Sequence, residues 1–255
     1  MSWNWLGLFT LLKKEVLRFT KVWMQTVFSP LITTSLYFVV FGLALGSRIA
    51  EVDGQPYVHF VIPGLMMLAM IQNAFLNASS SLFQSKTNGT LVDLLIAPIG
   101  PGELLLAYVG GSLVRGAVVG ALVWAVAALF VGPQLVHPLW LLWFVFVVCA
   151  TFGLLGVVVA IYATRFDHLA VVPSFVLTPL AFLGGVFYTI DMLPEPWRTL
   201  SLANPVLYMV NGLRYAITGS ADIDVWRSAA LTFLLFGAAF AWASHTVGRS
   251  RRLRG

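Results

Sequence analysis

Within a long apolar segment, Asn73, Asn77 and Ser80 recur at i, i+4 and i+7, so they share one face of a helix. Polar side chains at membrane depth face protein or a water-filled cavity, not lipid. Two uses are equally open: hydrogen bonds that hold helices together, or the lining of a path. Arg115 lies inside another apolar segment. A helix starting at Glu103 places it roughly 18 Å along the axis. It is expected to snorkel to the inner surface, with a buried functional charge as the alternative. Pro173 and Pro179 fall in a single later segment, where they bend the helix and release backbone carbonyls.

Other chemistries lack their residues. A phosphate-cradling loop ends in Gly-Lys-Ser/Thr, and the only Lys followed by Ser or Thr is Lys86-Thr87, preceded by Ser85. ATP hydrolysis by that route is excluded. HExxH and GxSxG are both absent. His59, His137, His168 and His245 are far apart in sequence and read as packing or interfacial histidines, with no metal site expected. Cys149 is the only cysteine and can form no intrachain disulfide.

The elements that must position these residues are set by composition. Of 255 residues, 59% are hydrophobic and 10% charged. A soluble domain carries about 25% charged residues, so the solvent for this chain is the bilayer. The apolar runs are continuous rather than alternating, which excludes a β-barrel. The net charge of +5 sits beside the runs and does not suggest nucleic acid. The first run follows basic residues and has no small-residue cleavage site, so no cleaved signal is expected.

The expected fold is an all-α polytopic membrane protein, one domain over 1–255. Residues 3–23 form an interfacial helix, or the flank of the first span. Trp5, Leu8, Phe9, Leu12, Val16, Phe19 and Trp23 follow one line, and Lys14, Arg18 and Lys21 point away. Six spans follow within 25–247, near 25–46, 57–82, 103–131, 139–163, 169–187 and 226–247. Gly42 and Gly46 form a small-xxx-small pair in the first. Between spans 5 and 6, residues 200–202 and 206–217 are too short to cross and read as interfacial or re-entrant helices on the outer side. Ten basic residues then lie inside: Lys13, Lys14, Arg18, Lys21, Lys86, Arg165 and four in the tail. Four lie outside, namely Arg48, Arg198, Arg214 and Arg227. Both termini are therefore expected in the cytosol.

Between spans 2 and 3 the chain reads FQSKTNGTLVDLLIAPIGPG, residues 83–102. Asn88-Gly89 is a turn, Thr90 can cap a short helix with Asp93 three residues on, and Leu91, Leu94, Leu95 and Pro98 share a face. Ile96-Ala97-Pro98 breaks that helix, and Gly100-Pro101-Gly102 completes the turn. The segment is either a loop helix resting on lipid or a knob presented to a soluble partner.

Several segments carry a family resemblance. They are SLYFVVFGLALGSRI (35–49), FVIPGLMML (60–68), GTLVDLLIAPI (89–99), YVGGSLVRG (108–116), VVPSFVLTPLAFLGGVFY (171–188) and NPVLYMVNGLRY (204–215). In this order they resemble the ABC-2 type permeases, most of all the YadH-like inner-membrane permeases, and more loosely those of drug-resistance and Nod-factor export. Many members have glutamate where Asp93 stands.

The resemblance implies six spans, an N-terminal interfacial helix and short outer helices between spans 5 and 6. It implies a coupling helix, Thr90 to Pro98, that docks on a separate ATPase. Two permeases, here a homodimer, and two ATPases make the transporter, with ATP and Mg held by the partner. Spans 2 and 5 line the path, which implicates Asn73, Asn77, Ser80, Val176 and Leu180. The function implied is export of a drug, lipid or glycoconjugate across the inner membrane. A lipid-acting membrane enzyme lacks clustered carboxylates or histidines here. A stand-alone carrier commonly shows inverted repeats, and none is visible.

Overall fold

The structure, a computed structural model, describes residues 3–21, 23–24, 28–40, 51–52 (backbone only), 55–91 and 96–249. Its elements are α1 (Trp5–Lys21), α2 (Ser29–Tyr37), a hairpin β1 (Glu51–Val52) and β2 (Gln55–Pro56), α3 (Tyr57–Thr87), α4 (Pro101–Val131) and α5 (Pro138–Tyr162). Then come α6 (Asp167–Phe182), α7 (Trp197–Leu202), α8 (Pro205–Thr218) and α9 (Val225–Arg249).

Among the described residues, α3, α4, α5 and α9 are long and apolar enough to cross a membrane. Helices α3, α5 and α9 run in one direction and α4 in the other. One end of the bundle carries the 88–100 and 163–166 connections, and the other carries the hairpin, 132–137 and 183–204. The stretch Ser29–Val40 and α6 are apolar but only 10–17 residues long. The rest of the expected first span, with Gly42 and Gly46, lies outside the described residues.

Proline sets several helix starts. Pro101, Pro138 and Pro205 occupy first-turn positions, where the missing N–H costs nothing and φ is already helical. This corrects the reading of Gly100-Pro101-Gly102 as the close of a turn. Gly100 is the N-cap of α4, and the Glu103 carboxylate accepts a hydrogen bond from its N–H. The fifth apolar helix ends at Phe182, earlier than expected, because the chain turns at Gly184-Gly185, with Gly185 at φ 73°.

The core lies between α3 and α5. Met67, Met70, Ile71 and Phe75 of α3 and Val148 and Phe152 of α5 are buried together. The two helices come close because residue 156 is glycine: a Cβ there would stand 2.5 Å from the Phe75 carbonyl oxygen. Helices α4 and α9 flank this pair and leave apolar side chains such as Leu129 and Leu234 exposed, the surface that a bilayer covers.

Helix α8, too short to span, is buried, which fits the re-entrant alternative and not the interfacial one. Met209, Val210 and Leu213 pack against the α3 core. Asn204 caps its start by accepting from Val206 N at 3.0 Å, and Gly219 ends it at φ 79°. Arg214, one of the expected outer-side charges, is carried on this helix and is not solvated. It is buried, donates to Gly185 O at 2.7 Å, pairs with Asp222 at 3.4 Å and stacks 3.8 Å over Phe60.

Between its prolines, α6 widens. Residues Pro173–Leu177 are π-helical, and the Thr178 N–H reaches back to Pro173 O. The Thr178 hydroxyl donates to that same oxygen at 2.9 Å. Two residues without N–H groups six apart disrupt ordinary i→i+4 bonding, and the wider turn restores partners.

Helix α1 departs from the expected pattern. Its buried line is Leu8, Leu11, Glu15 and Phe19, packed against α4, while Trp5, Phe9 and Trp23 are exposed. Arg18, expected to point away with Lys14 and Lys21, instead turns inward.

Candidate functional site

Two sites are built on this frame, both reached from α1. The first is the junction around the 88–100 connection. Asn4 caps α1 by accepting from Gly7 N at 2.9 Å. Its own N–H donates to Glu103 Oε1 at 2.6 Å, and its side-chain amide donates to Pro98 O at 2.9 Å. One asparagine thus fixes the start of α1, the end of the connection and the first turn of α4. Lys86 adds a second clamp. Its ammonium donates to Ile161 O at 3.1 Å and Ala163 O at 3.0 Å, where a cation satisfies carbonyls at the end of α5.

The expected docking residues divide here. Asp93, Leu94 and Leu95 lie outside the described residues. Thr90 is exposed, and its hydroxyl is 3.4 Å from Ser85 O. Leu91 faces the protein: it is 4% exposed, in a cluster with Leu8, Leu11, Phe83 and Leu104. It anchors the segment and belongs to no outward knob. Pro98 is exposed. Ile96, read in sequence as part of a helix break, is helical and 78% exposed. Sequence reasoning missed it, although an isoleucine flanking a proposed knob was the available signal.

The second site follows the asparagine face of α3. Asn77 is fully buried under α1. Its carbonyl and Oδ1 accept from Arg18 Nη2 at 2.9 and 3.0 Å. Arg18 is 3.5 Å from Glu15 Oε2, and Ser81 Oγ donates to Glu15 Oε1 at 2.7 Å. Burial pushes the Glu15 carboxyl up from its ordinary value, against the pull of Ser81 and Arg18. Gly111 of α4 admits this cluster, since a Cβ there would lie 2.8 Å from Glu15 Cβ. The sequence did hold a signal for Glu15: it lies four residues from both Leu11 and Phe19, on the buried face.

One turn away, Asn73 Oδ1 accepts from Arg115 Nε at 3.3 Å and Nη2 at 3.1 Å. Both groups line a cavity of about 240 Å³ between α2, α3, α4 and α6. Arg115 is thus directed to a cavity and Asn73, not snorkelled to the surface. Ser80 bonds its own helix at Leu76 O, 2.6 Å, and neither Ser80 nor Asn77 lines this cavity. Gln72 donates to Thr178 Oγ1 at 3.1 Å across it, tying α3 to α6 beside the π-helical turn. On α6, Val176 is 45% exposed, Leu180 packs against the core, Pro173 is buried and Pro179 is exposed. Among the described residues, no three His, Cys, Asp or Glu side chains gather.

Comparison with known proteins gives a consistent family. Residues 7–218 match the ABC-2 type transporter family. Across 255 residues the chain is 39% identical to "Inner membrane transport permease YadH" of Escherichia coli strain K12, covering 100% of this chain and 99% of that one. It is 21% identical over 225 residues to "Nodulation protein J" of Rhizobium meliloti strain 1021, covering 88% and 85% of the two chains. A second "Nodulation protein J", from Sinorhizobium fredii strain NGR234, is 24% identical over 218 residues, covering 84% and 81%.

Proposed function

The chain belongs to the ABC-2 type transporter family, and from that premise we propose that it is the membrane subunit of an ATP-driven exporter. The family is one of transport permeases, and the fold is an all-α membrane bundle. The finer reading is a single six-span domain with both termini cytosolic, in the inner membrane as the name of the YadH relative suggests. Two copies pair with two copies of a separate ABC ATPase, which holds ATP and Mg.

The observation that carries the coupling role is the two-faced connection at 88–100. Leu91 is sunk into the permease while Ile96 stands exposed. An element anchored on one side and apolar on the other presents itself to a partner. Thr90 to Pro98, with Asp93, Leu94 and Leu95, form the coupling helix in this reading. A push on that helix reaches α1 and α4 through the Asn4 bonds to Pro98 and Glu103. From α1 the movement continues through Arg18 to Asn77 of α3. The Gln72–Thr178 bond then carries it to α6, whose π-helical turn between Pro173 and Pro179 can absorb bending. Asn73, Val176 and Leu180 belong to the substrate path in this scheme, and Asn77 and Ser80 support it.

The test is reconstitution with a co-expressed ABC ATPase partner. Leu94→Asp with Leu95→Asp should abolish ATPase co-purification while the permease inserts normally, because desolvating an unpaired charge at a docking face is costly. Normal co-purification and persistent transport in that variant would refute the docking assignment.

A further inference from the structure

The cavity beside Arg115 has a chemistry that the general transport reading does not specify. Its polar wall includes Thr33, Gln72, Asn73, Arg115 and Thr178. Among the described residues, Arg115 is the only charged group in that wall. A guanidinium carries five N–H donors. Asn73 Oδ1 engages Nε and Nη2, and among the described residues Arg115 forms no ion pair. Each carboxylate described has its partner elsewhere, Glu15 at Arg18 and Glu103 at Asn4 among them. A cation inside a span calls for a counter-charge, and this one faces open volume.

Size limits what can enter. At about 240 Å³ the cavity is below the roughly 300–1,000 Å³ of sites that enclose a drug-sized ligand. It can hold a headgroup but not a whole amphiphile. Its rim is exposed at Ser29 and Thr33, beside the outward apolar Ile32 and Leu36 of α2. A tail attached to the headgroup would therefore leave along an apolar surface.

We propose that this cavity is an oxyanion subsite, in which Arg115, held by Asn73, binds the phosphate, sulfate or carboxylate headgroup of an amphiphile whose tail stays in the bilayer. The proposal rests on the permease reading for its purpose, since the amphiphile is either the cargo or a bilayer lipid. Its geometry is independent of the ATPase.

The test uses the full chain purified in neutral maltoside micelles, with thermal unfolding followed during titration. The probe is dodecyl phosphate, with inorganic phosphate and dodecyltrimethylammonium as controls. Dodecyl phosphate should raise the melting temperature saturably. Inorganic phosphate should need far higher concentration, and the cationic probe should give no saturable rise. Arg115→Gln should weaken dodecyl phosphate binding at least about tenfold, the scale of a lost charge-assisted hydrogen bond. Arg115→Lys should retain part of it. If Arg115→Gln does not fold, Asn73→Asp keeps the guanidinium and neutralises it in place, and should abolish binding equally. Competition by phosphatidylglycerol identifies a bilayer lipid as the source of the headgroup, and its failure identifies a transported amphiphile. No saturable stabilisation of the wild-type chain, or equal binding by Arg115→Gln or Asn73→Asp, would overturn the subsite. Failure of the wild-type chain to co-purify with an ABC ATPase, with dodecyl phosphate binding intact, would overturn the exporter reading alone.

Discussion

Replacing Arg18 by methionine isolates the energetic role of the α1–α3 clamp. Methionine keeps much of the side-chain volume and removes the charge. Glu15 is 0% exposed, so its carboxylate would keep only the Ser81 hydroxyl at 2.7 Å. Asn77 would lose both bonds that Arg18 donates to it. Removing one partner of a buried pair costs about 3–5 kcal/mol. Arg18 is 22% exposed, which favours the lower end, about 3 kcal/mol. For a chain of this size that corresponds to a fall of roughly 6–12 °C in melting temperature. Intrinsic tryptophan fluorescence of the purified chain can follow it.

The pH dependence has a fixed sign. The Glu15 carboxyl is already held above its ordinary 4.5 by burial, with Arg18 opposing. A group that binds its proton more tightly when folded destabilises the fold as pH rises through the raised value. Without Arg18 that value rises further, so Arg18→Met should recover stability on acidification from pH 7.5 toward 5. Glu15→Leu with Arg18→Met should restore much of the loss at pH 7.5, because an apolar replacement leaves no uncompensated charge. If Arg18→Met melts within about 2 °C of the wild type at both pH values, the clamp contributes little, and the proposed route from α1 to α3 fails.

Further outcomes follow from single contacts. Lys86→Met leaves the Ile161 and Ala163 carbonyls without their cation, and should lower stability by about 1–3 kcal/mol in the same melting assay. Gly156→Leu drives a side chain into the Phe75 carbonyl, and should abolish monodisperse purification, whereas Gly237→Leu, at an open position, should not. In a Cys149-free background, cysteine at Ser2 or Ser250 should resist an impermeant thiol reagent in intact cells. Labelling at either site would contradict cytosolic termini.

Much of the long-helix architecture was legible because apolar length is a direct consequence of bilayer thickness. The expected spans at 103–131 and 139–163 differ from α4 and α5 by one or two residues at their ends. Helix α3 runs past its expected end at 82 to Thr87, because Phe83 joins the cluster with α1, α4 and α5, Ser85 is buried and Lys86 bonds the end of α5. Pattern reading failed where tertiary contact decides orientation. Arg18 looked solvated by its position among lysines, yet the buried Glu15 and Asn77 draw it inward. The burial of Arg214 was likewise not legible, because it depends on α8 being sunk against α3, which brings Asp222 and Phe60 to the guanidinium. Leu91 and Ile96 show the same limit, because their opposite exposures depend on packing that periodicity over so short a segment cannot fix.

The central claim is that the 88–100 connection transmits force from a separate ATPase. It is tested most directly by placing a photo-crosslinking residue at Ile96 in the full chain, co-expressed with its ABC ATPase partner. The account predicts a covalent adduct with the ATPase at Ile96 and none at Leu91, whose side chain is buried in the permease. No ATPase adduct at Ile96 in an assembled, transport-active complex would contradict it.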